Sequence, residues 1–150
     1  MTGRVEGADQ LRDLGKRLRA AGDEGKQLRR DLLRSIRQTA KGPLVDELKA
    51  AALRRLPARG GLAAYAAKQL KVSVRTRLSG QQAGVTVLAA IKGMDLPKLE
   101  TGKLRHPVYG RDTWVNQKIP ARVFSDAVDQ VADQVGKAVL QVVDDTARKV

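Results

Sequence analysis

Val72-Ser73-Val74-Arg75-Thr76-Arg77-Leu78-Ser79-Gly80-Gln81-Gln82-Ala83-Gly84-Val85-Thr86-Val87-Leu88-Ala89 changes the period of the chain from helical to two. Val72, Val74, Thr76 and Leu78 alternate with Ser73, Arg75 and Arg77, as a strand with one buried face requires. Ser79 to Gly84 supplies the turn, and Val85, Val87 and Ala89 resume the alternation, so the pattern predicts a β-hairpin over about 71–91. Its polar face carries Lys71, Arg75 and Arg77. The flanking sequence is helical in period, and the fold class that follows is α+β. A long N-terminal helix and a C-terminal helix flank a small antiparallel sheet.

Upstream, Leu11, Leu14, Leu18, Ala21, Leu28, Leu32 and Ile36 mark one amphipathic helix over about 8–39. Gly15, Gly22 and Gly25 weaken it by up to ~1 kcal/mol each, so it depends on a packing partner, and Gly22-Asp23 is the place for a break. Gly42-Pro43 ends this helix and opens a second over about 43–56, because proline fits a first helical turn where its missing N–H is not needed. Pro57 and Gly60-Gly61 punctuate the chain before an Ala-rich helix over about 62–70.

Downstream, Gly93, Pro97, Gly102, Pro107 and Gly110 interrupt any period, and residues 92–120 read as a long loop with Thr113-Trp114-Val115 as a candidate third strand. After Pro120, the stripe Phe124, Val128, Val131, Val135, Val139 and Val142 marks a helix over about 122–148. That stripe serves as core or as a subunit interface, and core is the ordinary use of an amphipathic face. Trp114, followed by Val115 in a strand-like setting, is likewise read as core in preference to a stacking surface. A length of 150 residues fits one domain.

The chain has no Cys and a single His, which excludes thiol chemistry, disulfides and the common zinc sets. His106 precedes a proline in a turn-rich segment and reads as structural. Gly102-Lys103 lacks the following Ser or Thr and the leading glycine of a phosphate loop, and Asp144-Asp145 are neighbours that diverge by about 100° on a helix. No catalytic, cofactor or metal site is expected, and the protein is not read as an enzyme. Met1 to Glu6 has no signal-like apolar stretch and no segment has the length of a membrane span, so an intracellular product without membrane contact is expected.

The net charge is +13, and it is unevenly placed. Residues 43–121 carry 14 basic and 5 acidic side chains, whereas residues 122–150 carry 4 and 5. From Arg54 to Arg77 there are Arg54, Arg55, Arg59, Lys68, Lys71, Arg75 and Arg77 with no carboxylate between them, a footprint suited to a polyanion.

Gly102-Lys103-Leu104-Arg105-His106-Pro107-Val108-Tyr109-Gly110, then Trp114-Val115, then Ile119-Pro120 and a last helix opening at Phe124, together with the element order, resemble a family of phage proteins. These are the head–tail joining, or tail-completion, neck proteins of long-tailed double-stranded DNA phages. The resemblance implies a structural subunit that assembles as a homo-oligomeric ring in the virion, built in the bacterial host cytoplasm. Its implied partners are other neck, head-closure and tail-tube or terminator proteins. Double-stranded DNA passes through such a ring without sequence readout. His106, Pro107, Tyr109, Gly110 and Trp114 are the motif positions, with an implied role in fixing the loop and its contact with a neighbour. Arg54, Arg55, Arg59, Lys71, Arg75 and Arg77 are the candidates for the DNA channel. The competing class is a small basic protein that binds nucleic acid non-specifically, without zinc-finger spacing or an aromatic RNA-binding stripe.

Overall fold

The computed structural model describes residues 7–107 and 112–150, with backbone alone for His106 and Pro107. Among the described residues five helices and four strands follow one another in an α+β order. They are α1 (Ala8–Ala20), α2 (Gly22–Arg55), α3 (Leu62–Gln69), β1 (Leu70–Arg77), β2 (Gly84–Ile91), α4 (Leu96–Glu100), β3 (Lys103–Pro107), β4 (Trp114–Lys118) and α5 (Val123–Ala147). Among the described residues β1 pairs with β2 and β3 with β4, as two separate two-stranded sheets.

The N-terminal helix breaks where its glycines weaken it. Ala21 ends α1 and Gly22, at φ 63, restarts the chain as α2. Beyond that point the expected boundary at Gly42-Pro43 does not form, and α2 continues through Pro43 for 34 residues. An interior proline removes one hydrogen bond and crowds the preceding turn. Against this, Leu32, Ile36, Ala40, Leu44 and Leu48 are all buried at four-residue spacing, and only a continuous helix keeps that stripe on one face.

The region expected as a loop over 92–120 is a second correction. It contains α4 and the β3–β4 ribbon, whose register sets Lys103 opposite Lys118, Arg105 opposite Asn116 and His106 opposite Val115. The candidate third strand is therefore real in part, starting at Trp114, but it pairs with β3 and not with the hairpin. Period-two patterning is hard to see in a five-residue strand. Trp114 is the third correction. Expected in the core, its residue is 57% exposed.

The chain divides into two compact units. The first comprises Met1–Leu44, Val72–Leu88 and Asp129–Val150, the second Val45–Lys71 and Ala89–Val128. In the first unit Leu11, Leu14 and Leu18 of α1, Val72 and Val74 of β1, and Val135, Val139 and Val143 of α5 are buried. A Cβ on Gly15 would stand 2.5 Å from the carbonyl oxygen of Leu78, so α1 approaches the hairpin at a distance only glycine permits. Arg12 Nε donates to the Gly80 carbonyl at 2.9 Å, and Arg17 donates to the Ala147 carbonyl at 3.0 Å. The expected alternation of β1 holds, with Val72 and Val74 buried and Lys71, Ser73, Arg75 and Arg77 exposed.

In the second unit Leu48, Ala52 and Leu56 of α2, Ala66 of α3, Leu99 of α4, and Val123 and Phe124 of α5 are buried. Along α5 the apolar stripe is largely core: Phe124, Val128, Val135 and Val139 are buried, while Val131 and Val142 are half-buried.

Candidate functional site

The second unit is organised around the start of α5. Arg122 precedes the helix at φ 55, a left-handed conformation that is unfavourable for a side chain with a Cβ. It is held there from three directions. Its N–H donates to the Glu100 carbonyl at 2.9 Å, its carbonyl accepts from Arg55 at 3.3 Å, and its Nε donates to Asp126 at 3.0 Å. The Glu100 carboxylate then accepts from the backbone N–H groups of Phe124 and Ser125, at 2.8 and 3.0 Å, and from the Ser125 hydroxyl. A distant glutamate thus does the work of an N-cap residue, satisfying two otherwise orphan donors and placing negative charge at the positive end of the helix dipole.

Arg55 completes the clasp. Besides Arg122 it donates to the Ala121 carbonyl at 3.0 Å and to the Asp126 carboxylate at 2.9 Å. The hydrogen bond from Arg55 is the main cause holding the Asp126 carboxyl below its ordinary pKa, with desolvation opposing it and Arg122 adding to it. This cluster fixes α2, α4 and α5 relative to one another within the unit and so fixes the base of the β3–β4 ribbon. Ile119 N–H donates to the Gly102 carbonyl at 2.9 Å where the ribbon begins and ends.

Beside the ribbon lies an open cleft of about 1940 Å³. Among the described residues five cations line it, namely Arg59 after α2, Lys98 on α4, Lys103 and Arg105 on β3, and Lys118 on β4, against the single carboxylate of Asp95. Asp95 is already engaged, accepting from Lys98 N–H at 3.3 Å and lying 3.9 Å from the Lys98 ammonium. Two aromatic side chains share the cleft. Tyr65, 44% exposed, is fixed by its hydroxyl donating to the Lys92 carbonyl at 2.9 Å. Trp114 carries the Arg105 guanidinium over its ring, 5.4 Å from the centroid.

Of the six basic residues singled out by sequence, Arg59 lines this cleft, Arg55 belongs to the clasp, and Arg54 is exposed and paired with Glu47 at 2.7 Å. Lys71, Arg75 and Arg77 stand exposed on β1, with Arg77 bonded to the Gln82 side chain. Of the five motif positions, Trp114 is at the cleft, whereas Tyr109, Gly110 and the side chains of His106 and Pro107 lie outside the described residues. Sequence reasoning passed over Lys103, Arg105 and Lys118. The signal was there as Lys103-x-Arg105, two cations at strand spacing, and as Asn116-x-Lys118, a polar pair with the same spacing, inside a segment read as loop. Glu100 and Asp126 left no such signal, because their partners are 24 and 71 residues away.

Among the described residues no group of three or more His, Asp or Glu side chains converges as a metal site, and no helix is long and apolar enough to cross a membrane. No protein-family model, curated protein or solved structure matches the chain.

Proposed function

We propose that this chain is a structural subunit of a phage neck, forming a homo-oligomeric ring that joins the tail to the DNA-filled head. The observation that carries this reading is the form taken by the segment on which the family resemblance rests. The described part of that segment folds as a two-stranded ribbon, and among the described residues neither β3 nor β4 has a second strand partner. A lone two-stranded ribbon is marginal in water, and its free backbone edges are templates for pairing with another chain. A ribbon of this kind suits a contact made between subunits, in the role the resemblance implies for the motif.

The distribution of charge supports the same reading. A subunit lining a DNA passage needs cations that meet phosphates without reading bases, and the exposed Lys71, Arg75 and Arg77 of β1 provide them. Head-to-tail ring contacts use two different surfaces of each subunit. A basic middle segment and a last helix with 5 acidic side chains against 4 basic ones over residues 122–150 offer complementary signs. Partners in this reading are the adjoining neck, head-closure and tail-tube proteins, and the location is the virion.

Native mass spectrometry over a range of protein concentration and salt tests the proposal. A closed oligomer of one subunit number, loosened by salt, is the expected result. A protein that stays monomeric at every concentration, including at low salt, refutes it.

A further inference from the structure

The β3–β4 ribbon has two unlike faces. In an antiparallel pair, residues directly opposite project to the same side. The register therefore puts Lys103, Lys118, Arg105, Asn116 and Trp114 on one face, all of them exposed. Leu104, Val115 and Gln117 fall on the other, where Leu104 and Val115 are half-buried. Packing accounts for the second face. The cationic and aromatic residues of the first face line the cleft, and Leu104 and Gln117 of the second face border it as well.

That face contains a local conflict. Lys103 and Lys118 are direct cross-strand partners, and like charges in that position destabilise a sheet. No carboxylate among the described residues pairs with either of them, or with Arg59 nearby. A ribbon that is already marginal by itself carries an unrelieved repulsion, and such departures from local consistency belong to functional sites. An anionic ligand lying along the ribbon removes the conflict.

We propose that this cleft binds single-stranded nucleic acid, with phosphates on Arg59, Lys103 and Lys118 and an unpaired base on Trp114. Two observations select this ligand. The cleft, at about 1940 Å³, exceeds the roughly 300–1,000 Å³ of small-molecule pockets and suits a polymer. Its two aromatic rings are exposed and held, Tyr65 by its hydroxyl bond and Trp114 by the overlying Arg105. Aromatic platforms among cations are what unpaired bases use, whereas a duplex keeps its bases stacked inside. The neighbouring copy in the proposed ring is assigned to the unpaired backbone edges of the ribbon, and the nucleic acid to its cationic side-chain face. The inference rests on one unit of the chain and stands or falls separately from the ring.

Trp114 is the only tryptophan, so the full-length protein reports on its own site. Titration with an oligothymidylate of about 12 nucleotides, within the footprint of single-strand sites, should quench the intrinsic fluorescence. Trp114→Phe should retain most of the affinity, measured by anisotropy of a labelled oligomer, and Trp114→Ala should lose it by about five- to a hundredfold, the range of one lost base stack. Lys103→Ala with Lys118→Ala should reduce the slope of log affinity against log salt by about 1.4, as expected for two single-strand phosphates. The same double variant should melt no lower than the parent, because the repulsion is gone. Binding of duplex with equal affinity and no quenching overturns the stacking assignment. Equal quenching and competition by polyglutamate overturns the choice of nucleic acid over an acidic protein partner.

Discussion

Replacing Glu100 by Ala tests whether the second unit is organised by a helix cap supplied from a distant part of the chain. The carboxylate accepts two backbone N–H groups of α5, from Phe124 at 2.8 Å and Ser125 at 3.0 Å, in a partly buried setting. Hydrogen bonds to a charged partner contribute about 1.5–3 kcal/mol each when both groups are withdrawn from water. Here water can reach part of the vacated site, and loss of an N-cap costs about 0.5–2 kcal/mol. An expected loss of about 2–3 kcal/mol lies between one and two such bonds. For a chain of this size that is a fall in melting temperature of roughly 4–10 °C. Glu100→Gln keeps one acceptor oxygen but turns an amide donor toward the second N–H and removes the charge at the helix dipole, so an intermediate loss is expected. Circular dichroism with thermal and urea denaturation gives the size of the effect. Amide hydrogen exchange gives its place, and the amides of Phe124 and Ser125 should gain exchange before those of the β1–β2 hairpin. A Glu100→Ala protein melting within about 1 °C of the parent, corresponding to less than 0.5 kcal/mol, refutes the cap.

Arg55→Ala should destabilise the chain by about 1–2 kcal/mol through the two carbonyls it leaves, whereas Arg59→Ala should stay within about 0.5 kcal/mol; equal midpoints in urea would return Arg55 to the surface cations. Because the folded chain holds the Asp126 carboxyl below its ordinary value of 3.8, that carboxylate favours the fold above this pH and ceases to do so as pH falls through the lower folded value. Asp126→Asn should accordingly flatten the acid limb of a stability profile below about pH 4 and leave its shape near neutrality unchanged. Gly15→Ala should cost about 1–3 kcal/mol because its Cβ meets the Leu78 carbonyl, while Gly42→Ala, with open space around it in the helix interior, should gain about 0.5–1 kcal/mol, both read from denaturation midpoints. Pro43→Ala should raise the melting temperature by restoring a hydrogen bond inside α2, and a fall would mean that the helix does end there.

What could be read from the sequence was whatever its periodicity states locally. Val72, Val74, Arg75 and Arg77 specify a half-buried strand with no knowledge of the partner, and the hairpin lies within a residue of where the alternation places it. The last helix is marked equally well by Phe124, Val128, Val135 and Val139. Pro43 shows the limit of that method. Its local preference is to begin a helix, but the burial of Ile36, Ala40, Leu44 and Leu48 is a property of the folded chain, and it outweighs the preference. Trp114 shows another limit. A large ring beside Val115 has the composition of a core strand, and only the register, which gives Val115 and Trp114 opposite faces, determines which of the two is covered.

The same register changes what the positive charge of the chain means. Along the sequence, the basic residues from Arg54 to Arg77 form the strongest run without a carboxylate, and the basic residues between Lys103 and Lys118 are fewer and interrupted by Asp112. Folding reverses the ranking for two of the leading candidates, because Arg54 is paired with Glu47 and Arg55 is consumed by Asp126 and two carbonyls. Lys103 and Lys118, separated by the whole ribbon in sequence, become direct neighbours without a counter-ion among the described residues. Charge that has a partner within the fold is partly neutralised there, whereas like charges opposite each other in a ribbon destabilise it until a counter-charge is supplied. On the proposed reading the anionic ligand belongs to the cleft beside the ribbon, and β1 would offer a weaker, sequence-independent attraction through its exposed basic face. Salt should separate the two, since binding that includes a stacked base at Trp114 retains a component at high ionic strength, and purely phosphate-directed binding at Arg75 does not.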